Sequence, residues 1–276
     1  MIFLGLPAFE SGNALIIPLA GHELGHWIWR HRGLESQISS SLQDHVVNFY
    51  IDEWPRFCKL FFDKDIGDIR SDTAIIDVWT LSFKYSVRQC EEVFADFTGL
   101  RLFGESYLHS FEYLLSPRTG ETRSRDYPDM RTRAEFLLKA ATMFSIPPPD
   151  RYVQRFDDSS GVPDPADEFI LQASDAATRA CVDQILSLVR TIGDDEHFPR
   201  LSEEKSRACL NRIKSGVPAE EVEYIGDIVN AGWLAYRDET IIPASRIGEQ
   251  RRVDVLNELL LKSIEVSEVE AKMKDM

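Results

Sequence analysis

The stretch PLAGHELGHWIWR, residues 18–30, places two histidines and a glutamate between flanks that are almost wholly apolar. On an α-helix, positions i and i+4 share one face one turn apart, so His22 and His26 would project side by side. Glu23 lies next to that face. Burying three ionisable groups in such a helix costs several kcal/mol unless a partner offsets it, and a bound metal ion would do so. The stretch therefore predicts a helix that carries a metal site.

The pentapeptide His22-Glu23-Leu24-Gly25-His26 has the HExxH pattern. Imidazole nitrogens at this spacing usually hold zinc, and a catalytic zinc site keeps one position open for water. The metal lowers the pKa of that water, and an adjacent glutamate can take its proton as general base. Two plainer interpretations stay open, namely a chance match and histidines that satisfy hydrogen bonds in a core.

A second pair of ionisable residues, Glu92 and Asp96, stands at i and i+4 in the stretch EVFAD. Glu92 can complete a ligand set of two histidines and one glutamate, and Asp96 can accept the free N–H of a ligating imidazole. Ala95 and Gly99 are small and lie near the same face, so this helix can approach the first one closely. Solvated acids on an amphipathic helix are the alternative. Two other residues compete for the third ligand position: Glu91 and His45.

The third signal is YPDMRTR, residues 127–133, at the junction of an arginine-rich loop and a predicted helix. Peptide hydrolysis puts negative charge on the carbonyl oxygen, and a phenol or guanidinium aimed there stabilises it. Tyr127 and Arg133 are therefore candidate oxyanion donors. The alternative is a helix start whose arginines pair with surface acids.

Together, HELGH, EVFAD and YPDMRTR resemble the motifs of the gluzincin zinc metallopeptidases, in particular those of the CAAX-prenyl-protease type. That group carries HExxH, a later ExxAD and an HPxxxxR segment, and the resemblance covers roughly residues 13–140. It implies a gluzincin-like core, which usually contains a sheet; because this sequence reads mostly as helices, we predict a mainly α core with minimal β structure, followed by a C-terminal helical bundle that has no counterpart in the resemblance. Many members are embedded in membranes, whereas no apolar run in this sequence reaches the roughly 18 residues that cross a bilayer.

The resemblance also implies a role for each matching residue. His22, His26 and Glu92 would bind Zn2+, and Glu23 would act as general base. The remaining roles fall on three residues: Asp96 as the partner of a ligating histidine, Tyr127 in place of the histidine of the HP pair, and Arg133 on the final arginine of the segment.

Hydrophobic periodicity predicts a mostly helical chain. We expect helices at the following positions: 13–31, 36–63, 72–103, 105–115, 130–145, 166–192, 201–214, 218–237 and 245–272. Residues 1–6 (MIFLGL) and part of 73–82 are the candidates for strands. Ser202 is a predicted N-cap, Gly216 a helix stop and Pro218 a first-turn residue.

Composition divides the chain into three predicted parts. Residues 1–146 form the metallopeptidase core, 147–168 a Pro/Asp-rich linker, and 169–276 a C-terminal helical domain that covers the cleft or selects substrate. Five prolines between Ile146 and Phe169 argue against a regular element there.

The formal charge of −15, with acids spread along the chain, argues against binding to nucleic acid. The four cysteines lie far apart without a CxxC pair, which favours reduced, mostly buried thiols. We therefore predict a cytoplasmic protein without membrane insertion. Its expected partner is a protein or peptide substrate, with a regulatory partner protein left open.

The predicted function is that of a zinc-dependent metallopeptidase, which hydrolyses peptide bonds through a metal-activated water with Glu23 as base and Tyr127 or Arg133 at the oxyanion. Two alternatives stay open. One is a non-catalytic or regulatory binding module in which the metal braces the fold. The other is a zinc hydrolase of a non-peptide amide or ester, which would use the same residues.

Overall fold

The computed structural model describes residues 12–116, 123–157, 161, 164–242 and 248–274. Within these ranges the chain forms ten α-helices and no strand, which confirms the predicted mainly α fold. The helices are α1 Ala20–His31, α2 Glu35–Asp52, α3 Trp54–Leu60, α4 Thr73–Phe103, α5 Glu105–Leu115, α6 Met130–Phe144, α7 Pro165–Asp195, α8 Glu203–Lys214, α9 Ile225–Arg237 and α10 Glu249–Lys274. Short 3-10 turns cover Ala14–Leu19, Ile66–Asp68 and Val153–Arg155.

Helix α4 is the central element, and it packs against α1, α2 and α7. Every residue from 89 to 100 is buried. A helix that is buried on all sides belongs to the core of a protein. Its ionisable residues Glu91, Glu92 and Asp96 therefore lie in the interior, where each requires a partner.

Two hydrophobic clusters build the interior. The larger one joins side chains of α1 to α7, from Ile28 to Ile192, and includes the contacts of α7 with α2 and α4. The smaller one joins Ala14 and Leu15 with the helices α8, α9 and α10. The predicted division into domains at residues 147–168 stays a prediction.

The strand predicted within 73–82 is wrong, because these residues form the first turns of α4. Asp72 caps that helix, and its carboxylate accepts hydrogen bonds from the backbone N–H groups of Ala74 (2.9 Å) and Ile75 (3.4 Å). This cap fixes the start of the helix that the sequence predicted at 72–103. The other candidate strand, residues 1–6, lies outside the described residues.

The helix predicted at 218–237 begins only at Ile225. The backbone N–H of Ala219 donates to Ser263 Oγ (2.8 Å), and the carbonyl of Pro218 accepts from Arg212 Nε (3.1 Å). These contacts with α10 and α8 hold residues 218 and 219 outside the helix, so the placement of Pro218 in a first turn is wrong. Ser202 does cap α8, as predicted, because its Oγ accepts from the N–H of Lys205.

Among the described residues, no helix has the length and apolar character that a membrane span requires. All four cysteines are free thiols, as predicted. Three are buried and Cys58 is partly exposed.

Candidate metal centre

Helices α1 and α4 cross at very close range because small residues face each other there. A Cβ added to Gly21 would lie 2.8 Å from Gly99 Cα, and one added to Gly25 would lie 2.5 Å from Ala95 Cα. The backbones are therefore in direct contact at two levels one turn apart. This contact brings the histidine face of α1 onto Glu92 of α4.

Three potential ligand groups meet at this crossing. His22 Nε2 lies 3.1 Å from His26 Nε2 and 3.2 Å from Glu92 Oε2, and His26 Nε2 lies 3.4 Å from Glu92 Oε1. In a tetrahedral zinc site with bonds of 2.0–2.2 Å, neighbouring ligand atoms stand about 3.3 Å apart. The three groups are therefore spaced as ligands of one small cation.

The outer nitrogen of each imidazole is held by its own carboxylate. His22 Nδ1 donates to Asp96 Oδ1 (2.9 Å), and His26 Nδ1 donates to Glu91 Oε1 (3.0 Å). Ionised carboxylates only accept hydrogen bonds, so each Nδ1 carries a proton, and with a metal bound each Nε2 would offer its lone pair. The two Nε2 atoms and the carboxylate of Glu92 thus converge on one point.

The carboxylate of Glu92 contains an orphaned atom. Its Oε2 is buried and accepts no hydrogen bond from the described residues, although His22 Nε2 lies 3.2 Å and Arg133 Nη2 lies 4.0 Å away. A buried carboxylate oxygen without a hydrogen bond costs on the order of 1–3 kcal/mol or more. A cation between the imidazoles and Glu92 would remove that cost, and the donor set of two imidazoles and one carboxylate suits zinc.

The carboxylates of Asp96 and Glu92 favour a positive charge at or beside the His22 ring. Burial opposes the charged ring, but the hydrogen bond to Asp96, the neighbouring carboxylate of Glu92 and the charge of Asp96 together raise the pKa of His22 to about 9. Burial also opposes the ionised form of Asp96, yet the charge of Arg133 and the contact with His22 hold the pKa of Asp96 well below its usual range.

Asp96 is the centre of a buried network behind the ligands. It accepts from Arg133 Nε (2.9 Å) and Nη2 (2.8 Å) and from the hydroxyl of Tyr107 (2.8 Å), as well as from His22. The ring of Tyr107 occupies the space beside Gly99, where an added Cβ would lie 2.2 Å from the ring. The network fixes Asp96 and, through it, the orientation of the His22 ring.

Arg133 lies in the interior, beside Asp96. Its side chain is buried, and its described hydrogen bonds all go to Asp96. Arg133 and Tyr127 remain in contact, because the guanidinium carbon stands 5.2 Å from the centre of the Tyr127 ring. The structure therefore brings both predicted oxyanion residues to the centre, but in different positions.

Tyr127 and Glu23 mark the accessible side. Tyr127 is 38% exposed, and the nearby negative charge of Glu92, together with burial and the charge of Glu23, raises the pKa of its hydroxyl. Glu23 is partly buried and forms no hydrogen bond or ion pair within the described part of the chain. Its carboxylate is free to accept a proton.

Sequence reasoning missed several residues of this centre. Glu91 entered as a competing ligand, but it holds His26 and also accepts from Arg30 (2.9 Å) and Arg88 (3.2 Å). Its position directly before Glu92 was the available signal. Tyr107 carried no signal in the sequence. The other competitor, His45, lies on α2 and does not belong to the cluster of His22, His26 and Glu92.

In comparisons with protein-family models, curated proteins and solved structures, nothing matched this chain.

Proposed function

We propose that the chain is a zinc-dependent metallopeptidase of the gluzincin kind. The observation that carries this proposal is the convergence of His22 Nε2, His26 Nε2 and the Glu92 carboxylate within 3.4 Å of one another, with Glu92 Oε2 lacking a hydrogen bond. His22, His26 and Glu92 would hold the metal. A bound zinc ion supplies a Lewis acid that polarises a carbonyl and lowers the pKa of water.

Glu23 is the proposed base. Its carboxylate takes a proton from the attacking water and later delivers it to the nitrogen of the leaving amine. The location supports this role, since Glu23 follows a ligand on α1 and its charge acts on the Tyr127 hydroxyl. A metal site that only braces the fold has no use for an additional unpaired carboxylate at its accessible side.

Tyr127 is the proposed donor to the oxyanion, and Arg133 the residue that holds Asp96. A phenol of raised pKa keeps its proton at neutral pH and can donate it in a hydrogen bond to the charged oxygen. Arg133 donates through Nε and Nη2 to Asp96, and through Asp96 it orients the ring of His22. This division of roles refines the prediction from sequence, in which either residue bound the oxyanion.

The test combines metal content with cleavage of a peptide library. We expect about one zinc per chain, cleavage that stops with a chelator and returns with zinc, and a Glu23→Gln variant that keeps zinc and fold but does not cleave. Asp126→Asn, which also removes an acid near Tyr127, is the matched control and should still cleave. Zinc binding without cleavage in the wild type would instead support the binding module, and cleavage of amide or ester probes alone the non-peptide hydrolase.

A further inference from the structure

A second concave feature lies away from the metal centre. A cleft of about 1140 Å³ opens between the C-terminal ends of α4, α6 and α7 and the helices α8 and α9. The candidate ligands His22, His26 and Glu92 do not line it. Arg101 and Leu102 are its lining residues on α4, and Arg101 lies nine positions beyond Glu92, which is about 13 Å along the helix. The cleft is therefore a separate place on the molecule.

We propose that this cleft binds a small amphipathic anion, that is, a molecule with a carboxylate or phosphate head and an apolar body. The proposal does not depend on the metallopeptidase function. It rests on the charge of the lining, on the arrangement of three arginines and on an adjoining apolar wall.

The charge of the lining is opposite to that of the whole chain. Acidic residues outnumber basic ones by 46 to 31 in the sequence. In the cleft the basic side chains outnumber the acidic ones: Arg101, Arg190, Arg200, Arg207 and Lys214 against Glu105, Asp194 and Glu203. A local positive region on an acidic protein attracts small anions.

Three of the arginines share one carboxylate. Arg101 Nη2 and Arg200 Nη2 each lie 3.3 Å from Asp194 Oδ1, and Arg190 Nε lies 4.0 Å from Asp194 Oδ2. None of the three forms an ion pair with another described carboxylate. Two positive charges at this place are therefore not compensated, and guanidinium groups bind carboxylate and phosphate oxygens in pairs.

The other part of the lining is apolar. Its larger side chains are Leu102, Phe144, Ile146, Leu201, Leu210 and Leu234. The guanidinium of Arg101 stands 5.8 Å from the centre of the Phe144 ring, so the charged and apolar parts adjoin. Ligand sites in proteins are mostly apolar clefts with a few polar groups that orient the ligand. The head would lie at the arginines and the body along this wall.

The experiment is titration calorimetry of the full chain with decyl phosphate, below its micelle concentration. We expect one molecule per chain. Decyltrimethylammonium, which has the same chain and a cationic head, and inorganic phosphate, which has the head alone, should each bind at least about tenfold more weakly.

A charge-matched pair of variants separates the cleft from a general effect of charge. Arg190→Gln/Arg200→Gln removes two exposed guanidinium groups and should weaken decyl phosphate binding about tenfold. Arg70→Gln/Arg179→Gln changes the net charge equally at two exposed arginines outside the cleft, paired with Asp44 and Glu135, and should leave binding unchanged. Equal binding of the cationic probe, equal weakening in both pairs of variants, or binding only to vesicles of phosphatidic acid would overturn the proposal.

Discussion

Asp96 and Glu91, the carboxylates that hold the two histidines, differ in their surroundings. Because of this difference, we expect mutations of the two residues to affect metal affinity alike but the stability of the fold differently. Asp96 is buried and pairs with the buried Arg133. Glu91 accepts instead from Arg30 and Arg88, whose side chains are 66% and 60% exposed. A charge whose partner is lost remains costly in the interior but is solvated at the surface.

We therefore expect Glu91→Gln to lower zinc affinity about 10- to 100-fold, because the amide orients His26 less firmly. Its melting temperature without metal should change little. Asp96→Asn should lower zinc affinity similarly and also destabilise the fold by about 3–5 kcal/mol, since Arg133 stays buried without its partner. Competition with a zinc dye and thermal unfolding of the metal-free variants measure the two effects. Equal stability of both variants would contradict the proposed difference.

Arg123 holds the backbone of Tyr127 and links it to α7. Arg123 Nη1 donates to the Tyr127 carbonyl oxygen, and Nη2 pairs with Asp175 on α7. Asp175 in turn accepts from Gln89 on α4 (2.9 Å). The loop that carries Tyr127 is thereby linked to the two central helices, so Arg123 acts as a positioning residue.

In the proposed enzyme, Tyr127→Phe should lower kcat about 100- to 1000-fold by removing the donor to the oxyanion. Arg123→Gln should lower kcat about 10- to 100-fold with a smaller change in KM, because the phenol is displaced. In the Tyr127→Phe background Arg123→Gln should have little further effect. The control is Arg125→Gln, which removes another link between this loop and α7 but no bond to Tyr127. A full additional loss in the double variant would show that Arg123 acts elsewhere.

At the level of helices, periodicity was sufficient to predict most of the observed elements. It identified α4 and α5 closely, because apolar side chains recur along them at helical spacing. It missed the late start of α9, because residues 218 and 219 are held outside the helix by hydrogen bonds with Arg212 and with Ser263, which lies 44 residues further along the chain. Such contacts follow from the packing of α8 and α10 and leave no local pattern.

The candidate metal centre was also only partly predictable from the sequence, because it depends on how helices pack. HELGH predicted two candidate ligands from spacing alone, and the structure places Glu92 beside them. Adjacent helix positions differ by about 100° in direction, so the choice between Glu91 and Glu92 depends on how α4 is rotated against α1. That rotation is determined by the close contacts of Gly21 with Gly99 and of Gly25 with Ala95. The sequence predicted the close approach at Ala95 and Gly99 but not the glycines of α1 that face them.

Gly25 is therefore expected to be essential for the crossing of α1 and α4. A Cβ at this position would lie 2.5 Å from Ala95 Cα, which is backbone and cannot move aside cheaply. Gly25→Ala should destabilise the fold by about 1–3 kcal/mol or more and weaken zinc binding, because α1 must retreat from Glu92. Chemical denaturation and zinc competition provide the measurements. Gly12→Ala, where nothing lies within 4 Å, is the control, and an unchanged Gly25→Ala protein would disprove the close contact.

At the scale of the whole molecule, the C-terminal helices hold the segment that leads into α1. Trp233 Nε1 on α9 donates to the Leu15 carbonyl oxygen (2.9 Å), and Asn257 Oδ1 on α10 accepts from Ala14 N (2.6 Å). The role predicted for residues 169–276, covering the cleft or selecting substrate, stays a prediction. Helices α9 and α10 thus anchor the segment that leads into α1, the helix of His22 and His26.

Zinc should stabilise the whole fold, because its proposed ligands connect α1 with the central helix α4. A ligand that binds only the folded state at 100 times its Kd contributes about 2.7 kcal/mol. For a chain of this size we expect the melting temperature to rise by roughly 5–10 °C. Magnesium at the same concentration should have no such effect, because it prefers oxygen ligands to imidazole. Glu92→Gln keeps the size of the side chain and should lose most of the shift. Scanning calorimetry measures it, and a full shift in this variant would remove Glu92 from the ligand set.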